Sequence, residues 1–198
     1  HDIMHKFGYY VTESSIHSAE YLPYYIKDKY PELMAEFNLK PDVYLESCEN
    51  LLKEWVKIKA ELVDNKKIVH EKSFEFAPMI VNSVVNDKPS RVHGNVVNKG
   101  LIDNLPQNAC VEVPCLVDRN GINPCIVGAL PEQLAALNRT NINVQLMVIE
   151  AMKTRKKEAI YQAAFLDPHT SSELSLDDIV RLCDDMIEAH GDWLPEFH

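Results

Sequence analysis

Glycine is scarce in this sequence, and the spacing of its glycines excludes two common nucleotide-binding motifs. The 198 residues include six glycines, and no two of them form the G-x-G that opens a Rossmann fingerprint. The GxxxxGK pattern of a P-loop is absent as well. If the protein uses a nucleotide cofactor, the phosphate-binding loop must therefore lie outside this chain.

Closely spaced cysteine pairs and an excess of basic residues are also missing. The five cysteines form no C-x-x-C pair, which argues against a structural zinc site and predicts a reduced, cytoplasmic location. Lys and Arg number 20 against 30 Asp and Glu, which gives a formal net charge of −10. Because nucleic acids and anionic membranes bind basic surfaces, we expect neither as a partner.

Long hydrophobic runs are absent too. The longest, such as residues 125–130, fall far short of the roughly 20 apolar residues that span a bilayer. The first ten residues, HDIMHKFGYY, lack the apolar core of a signal peptide. We therefore expect neither a transmembrane helix nor a signal peptide. With 46% hydrophobic and 25% charged residues, the composition predicts one globular domain over residues 1–198.

The first residues resemble the end of a helix. Ile3, Met4 and Phe7 have helical spacing, and Gly8 follows where a helix would end. Position 1 is His and not an initiator Met. We therefore expect this chain to be the C-terminal part of a longer protein.

Hydrophobic periodicity predicts helices on both sides of a short β-rich region. One predicted helix begins near Thr12, and its pattern continues to Tyr25 with a break at Pro23; a short helix follows Pro31. The other predicted helices cover residues 42–65, 74–85, 131–154, 156–166 and a last stretch from Ser175 to Gly191. The predicted strands cover residues 91–97, 110–117 and 122–128, with a hairpin turn centred on Asn120 and Gly121. The fold class is therefore α+β, a small antiparallel sheet packed with long helices.

A polar cluster precedes the second predicted helix. The string TESSIHSAEY places Ser15, His17 and Tyr21 within ten residues. His17 and Tyr21 are four apart, so they would share one face of a helix. A tyrosine beside a cation can act as a base if its pKa falls well below its usual value of about 10. Helix capping, a surface histidine and a packed tyrosine explain the same residues equally well.

Two further groups of residues are candidates for binding. Asn95 and Asn98 flank the end of a β-rich segment, where their side chains either bind sugar hydroxyls or close a turn. His1 and His5 have a spacing that suits a metal, but His1 is the chain end. No carboxylate pair for ordinary glycoside hydrolysis can be singled out among 30 acidic residues.

Three long strings resemble the C-terminal half of glycoside hydrolase family 4, in its melibiase-type branch of α-galactosidases and α-glucosidases. They are KFGYYVTESSIHSAEYLPYYIK, GNVVNKGLIDNLPQNACVEVPCLVDRNGI and LPEQLAALNRTNINVQ. The resemblance extends to about Pro168. It implies the fold of that family's C-terminal domain, which is similar to the C-terminal fold of lactate dehydrogenases.

The resemblance also implies an unusual chemistry. Members of the family are glycosidases that need NAD and a divalent metal, usually manganese (Mn²⁺). Oxidation of the sugar at C3 acidifies the proton on C2, a base removes that proton, and the aglycone leaves by elimination. The metal polarises the oxygens on C2 and C3.

Site residues follow from the matching strings. In several family members the base is a Tyr in a segment resembling YLxYY, which makes Tyr21 the candidate here. Other branches use an Asp near the position of Ser15, and His17 would be a pocket residue. Asn95 and Asn98 fit a string that lies by the active site. The family's dinucleotide-binding domain and metal ligands have no counterpart in this chain, so we assign it no NAD contact and no metal ligand.

Three hypotheses follow. The first is the C-terminal part of an NAD- and Mn-dependent α-glycosidase, with α-galactosidase as the expected activity, which would be inactive alone, form homo-oligomers and expose apolar patches. The alternative is a non-catalytic sugar-binding or oligomerisation module derived from such an enzyme. The weakest is an unrelated metal-dependent hydrolase that uses His1, His5 and His17. The residues do not distinguish galactosides from glucosides or galacturonides.

Overall fold

Three short helices form the beginning of the chain. The computed structural model describes residues 1–40, 43–64 and 75–198. α1 (Asp2–Phe7) ends at Gly8, whose left-handed φ of 85° lets its N–H donate to the carbonyl of Met4. α2 (Ser15–Glu20) begins at Ser14, whose hydroxyl accepts from the N–H of His17. α3 (Glu32–Glu36) follows Pro31. The first and third predicted helices are confirmed, whereas the second ends at Glu20 and does not continue to Tyr25 as its pattern predicts.

Two longer helices follow. α4 (Val43–Asp64) confirms the predicted long helix over its described part, and positions 42 and 65 lie outside the described residues. α5 (Phe76–Asn86) confirms the next helix, of which position 74 is likewise outside. α5 packs on the sheet through Met79 and Ile80, whereas none of the side chains of α4 is buried.

The sheet has three antiparallel strands in the order of the sequence. β1 (Ser90–Val97) pairs along its whole length with β2 (Cys110–Asp118), and β2 then pairs with β3 (Gly121–Pro124). Alternate side chains of β2 are buried, namely Val111, Val113, Cys115 and Val117. This period of two confirms the half-buried strand that the alternation predicts.

The third predicted strand is wrong at its end, and the hairpin turn is shifted by one residue. β3 stops at Pro124, although the N–H of Cys125 still donates to the carbonyl of Pro114 in β2. Beyond it the chain turns away, because the N–H groups of Val127 and Gly128 both donate to the carbonyl of Leu101. The two turn residues are 119–120, since Asp118 pairs with Gly121. Gly121 has a φ of 102°, as in the glycine of a G1 bulge, and is not a central turn residue.

Four helices complete the chain. They are α6 (Glu132–Thr154), α7 (Lys157–Leu166), α8 (Pro168–Glu173) and α9 (Leu176–His190), with a short 3₁₀ turn after α9. The sequence predicts α6, α7 and α9 but not α8. Asp167-Pro168 ends α7 as its proline predicts, but Asp167 also caps a new helix by accepting from the N–H of Thr170, with proline in the first helical position.

α6 connects two hydrophobic clusters. Its buried residues Ala135 and Ile142 belong to a cluster built on the sheet, while its Leu137 packs against a second cluster formed by the first helices. A single helix therefore fixes the N-terminal segment relative to the sheet. Among the helices in the described ranges, none is both long and apolar enough to cross a membrane.

The end of the chain is also tied to its beginning. Lys27 Nζ lies 2.8 Å from Glu173 Oε1, and the backbone N–H of Asp28 donates to the same carboxylate. These contacts, led by the lysine, lower the pKa of Glu173 to about 2. The ion pair joins α8 to the segment that follows Tyr21.

Candidate functional site

A cleft of about 520 Å³ lies between the N-terminal segment and α6. The N-terminal wall contributes polar and aromatic side chains, namely Tyr9, Tyr10, Thr12, Glu13, Ser18 and Tyr21. The opposite wall is a face of α6. A cleft with apolar walls and a few convergent polar groups is the usual form of a small-molecule site.

Three carboxamides line the wall formed by α6. Asn138, Asn141 and Gln145 are spaced three and four residues apart, so the helix places them on one face. Leu137 and Val144 lie beside them in the same wall. Each carboxamide offers both hydrogen-bond donors and an acceptor, which suits a ligand rich in hydroxyl groups.

Tyr21 lies in this cleft at the end of α2. The helix stops before it, because Pro23 has no N–H to continue the hydrogen-bond pattern. The Tyr21 side chain is 52% exposed, so its phenol is accessible from the cleft. Its backbone carbonyl accepts from Asn141 Nδ2 at 3.3 Å. This contact connects the predicted base to the carboxamide wall, 120 residues further along the chain.

His17 lies beside Tyr21 but does not line the cleft. The two rings are 6.4 Å apart between centroids, which confirms that they share a face. His17 Nδ1 is 3.0 Å from Glu20 Oε2. The hydrogen bond to this carboxylate raises the pKa of His17 above its usual value.

Substituting Glu20→Gln should lower the pKa of His17 toward about 6.5. The sign follows from the raised pKa: the pair stabilises the fold below the unfolded-state pKa and loses that contribution as pH rises through the folded-state pKa. The pair is exposed, so we expect little change in overall stability. An NMR titration of the imidazole C–H signals measures the shift, with Glu32→Gln in α3 as the control. An unchanged His17 pKa in Glu20→Gln would contradict this assignment.

Ser15 lies outside the main cleft, next to it. It lines a smaller cavity of about 90 Å³. That cavity shares four lining residues with the main cleft, namely Ile3, Val11, Glu13 and Ser18. Ser15 is thus near the cleft but separated from it by the residues that both cavities share.

Asn95 and Asn98 have different environments, and neither lines the cleft. Asn95 is exposed on β1. Asn98 is fully buried, and its Oδ1 accepts from the N–H of Ile102 at 2.7 Å. Its Nδ2 lies within 3.1 Å of three backbone carbonyls, those of Ile102, Leu105 and Pro106. This geometry favours the turn-closing interpretation of Asn98 over a direct contact with a sugar.

The sequence reasoning missed much of the cleft lining. Tyr9, Glu13 and the three carboxamides of α6 were not singled out. The signal for the carboxamides was present in the string LNRTNINVQ, where they occur with the period of a helix. The spacing within the string does not indicate that α6 lies across the cleft from Tyr21.

The described residues do not fit a site for NAD or manganese. In the part of the chain that the structure describes, no three His, Cys, Asp or Glu side chains converge to hold a metal. His17 instead pairs with Glu20, and the ring of His1 lies 6.4 Å from that of Tyr10. No glycine-rich phosphate loop occurs in the sequence. Neither cofactor is therefore assigned to residues of this chain.

Comparison with known sequences identifies close relatives. The sequence model of the family 4 glycosyl hydrolase C-terminal domain matches residues 1–170. The α-galactosidase of Bacillus subtilis (strain 168) is 57% identical over 196 residues, which are 99% of this chain and 45% of that protein. The chain thus spans about half the length of the curated relatives it matches.

Solved structures share the fold. The crystal structure of the lplD protein of Bacillus subtilis superposes with a TM-score of 0.79 at 24% identity, covering 93% of this chain and 41% of that chain. A 6-phospho-α-glucosidase from gut microorganisms, solved with NAD and glucose-6-phosphate, gives a TM-score of 0.60 at 26% identity. That match covers 70% of this chain and 32% of the other. The α+β fold expected from the sequence is confirmed.

Proposed function

The chain belongs to glycosyl hydrolase family 4 as a C-terminal domain, and on that premise we propose that it is the substrate-binding part of a longer α-glycosidase. We propose α-galactosides as the substrate, because the α-galactosidase of Bacillus subtilis is 57% identical. NAD and Mn²⁺ would be its cofactors, held mainly by residues outside this chain. A cytoplasmic location, a single domain over residues 1–198 and a homo-oligomeric state complete the proposal.

One observation carries this proposal: Tyr21 lies in the cleft that the carboxamides of α6 line from the other side. Asn138 and Gln145 would bind sugar hydroxyls, since a carboxamide both donates and accepts hydrogen bonds. The rings of Tyr9 and Tyr10 would provide apolar surface for the sugar or its aglycone. Ser15 and His17, which lie near the cleft, would be further sugar contacts together with Asn95 of β1, and Asn98 would hold the loop of residues 98–106.

The chemical role of this chain is a proton transfer. Bound NAD would supply the hydride chemistry, oxidising C3 of the sugar and later returning the hydride, and the metal would polarise the oxygens on C2 and C3. Tyr21 would accept the proton from C2, as a base whose phenol is accessible from the cleft. The hydrogen bond from Asn141 to the Tyr21 carbonyl would hold this residue in position.

The chain of 198 residues should not turn over substrate by itself. An assay with 4-nitrophenyl α-galactoside, NAD, Mn²⁺ and a reductant should release no 4-nitrophenol. The described residues contain no metal-holding group of three His, Cys, Asp or Glu side chains, and the sequence contains no glycine-rich phosphate loop. Calorimetry should detect no NAD binding. Turnover by this chain, or tight binding of NAD to it, would contradict the proposed division of roles.

A non-catalytic sugar-binding module is the second candidate. It is favoured by the carboxamides of α6 in the cleft wall, whose donors and acceptors would bind sugar hydroxyls without any chemical step. Both candidates predict binding of galactose to the cleft. They differ in Tyr21, whose loss affects only affinity in a binding module but abolishes turnover in an enzyme.

A further inference from the structure

α4 is a 22-residue helix without a buried side chain. Large apolar side chains on it are open to solvent: Leu51 is 64% exposed, Trp55 53% and Leu62 52%. Such a surface confirms, for the described residues, the expectation of exposed apolar patches. Monomeric proteins rarely leave large apolar patches uncovered, so this helix lacks a partner within the described chain.

One set of apolar residues of α4 follows a heptad pattern, while Leu45, Leu52, Val56 and Val63 are exposed outside it. The six residues of this set are spaced alternately four and three residues apart, namely Tyr44, Cys48, Leu51, Trp55, Ile58 and Leu62. In the notation abcdefg, positions a are 48, 55 and 62, and positions d are 44, 51 and 58. A strict repeat of 3.5 residues keeps one seam facing a second helix that runs alongside. We call these six residues the α4 seam.

The charged residues beside the seam indicate which helix pairs with α4 and whether the two helices run parallel or antiparallel. Glu54 occupies a g position and Lys59 the e position of the next heptad. If two copies of α4 pair in parallel and in register, Glu54 of each copy faces Lys59 of the other. In an antiparallel pair, g positions face each other, so Glu54 and Glu61 would form like-charged rows. The charges therefore favour a parallel pair of identical helices.

We infer that α4 is a dimerisation helix that forms a parallel two-stranded coiled coil with α4 of a second copy of this chain. The coil buries the α4 seam and adds two Glu54–Lys59 ion pairs across the dimer. The inference rests on the homo-oligomeric state in the proposed function, and it identifies the α4 seam as the surface through which two copies associate. It does not depend on glycosidase activity, because its test measures mass and cross-linking.

Sedimentation of the 198-residue chain tests the seam. We expect a species of twice the chain mass of 22.6 kDa. Leu51→Ser with Leu62→Ser should sediment as a monomer, while Val56→Ser with Val63→Ser should stay dimeric. The control pair makes the same kind of change on the same helix, at exposed positions outside the seam. A monomeric parent chain, a dimeric seam variant or a dissociated control would each overturn the inference.

Two further variants test the direction of pairing. Glu54→Lys and Lys59→Glu should each weaken the dimer, and the double variant should restore it. Cys48, at an a position, should form a disulfide with its counterpart when oxidised glutathione is added, and Cys48→Ser should abolish that cross-link. The parallel arrangement would be overturned if the double variant failed to restore the dimer. It would also be overturned if oxidised glutathione produced no Cys48–Cys48 disulfide, or if the cross-link persisted in Cys48→Ser. Association through a different surface, or with another part of a longer protein, would appear as one of these failures.

Discussion

Replacing Tyr21 with Phe in the complete enzyme should lower the rate of α-galactoside hydrolysis by about 10²–10⁴-fold, the usual contribution of a general base. The phenol oxygen is the only atom removed, so the cleft and its carboxamide wall should remain. Because Tyr21 is half-exposed, the fold should not depend on its hydroxyl. Steady-state kinetics with 4-nitrophenyl α-galactoside measures kcat and KM separately, and the loss should appear in kcat.

Tyr24→Phe is the matched control for this experiment. Tyr24 is also an exposed tyrosine in the same segment, but it does not line the cleft with Tyr21. Tyr24→Phe should retain the parent rate. Equal losses in both variants would indicate a structural effect, and full activity of Tyr21→Phe would show that the base is a different residue.

Replacing Asn98 with Ala should destabilise the fold by about 2–4 kcal/mol, since a buried N–H and several carbonyls lose their partner. Asn98 is 0% exposed, and its carboxamide bonds to the backbone at Ile102, Leu105 and Pro106. Water cannot replace these bonds without opening the loop. Urea denaturation followed by circular dichroism gives the change in the free energy of unfolding.

Asn95→Ala serves as the comparison, because Asn95 is exposed on β1. Its free energy of unfolding should change by no more than about 0.5 kcal/mol. If Asn98 mainly contacted a ligand, Asn98→Ala would keep its stability and lose affinity for sugar. That pattern would refute the role of Asn98 in closing the loop.

Local features of the fold could be predicted because their causes are local. Gly8 ends α1 and Ser175 begins α9, as glycine and serine do at helix termini generally. The shared face of His17 and Tyr21 follows from their spacing of four. The end of β3 could not be predicted, because Val127 leaves the strand to bond to Leu101, a contact set by tertiary packing.

Only part of the candidate site could be predicted from the sequence. Tyr21 was found through a string that resembles a known family, and it lies in the cleft. The opposite wall comes from α6, and the helical spacing of Asn138, Asn141 and Gln145 shows that they share a face but not what that face meets. Contacts between residues 120 positions apart, such as Asn141 with Tyr21, depend on how two hydrophobic clusters share one helix.

The most direct test of the central claim is to follow hydrolysis of 4-nitrophenyl α-galactoside in D₂O by the protein purified from its natural source. The galactose released is then examined by ¹H NMR, and the same preparation is assayed with and without NAD and Mn²⁺. We predict turnover that requires both additions and a product that carries deuterium at C2, because a base removes that proton during the reaction. Turnover without NAD, with C2 still fully protonated, would contradict the account and indicate a direct displacement at the glycosidic bond.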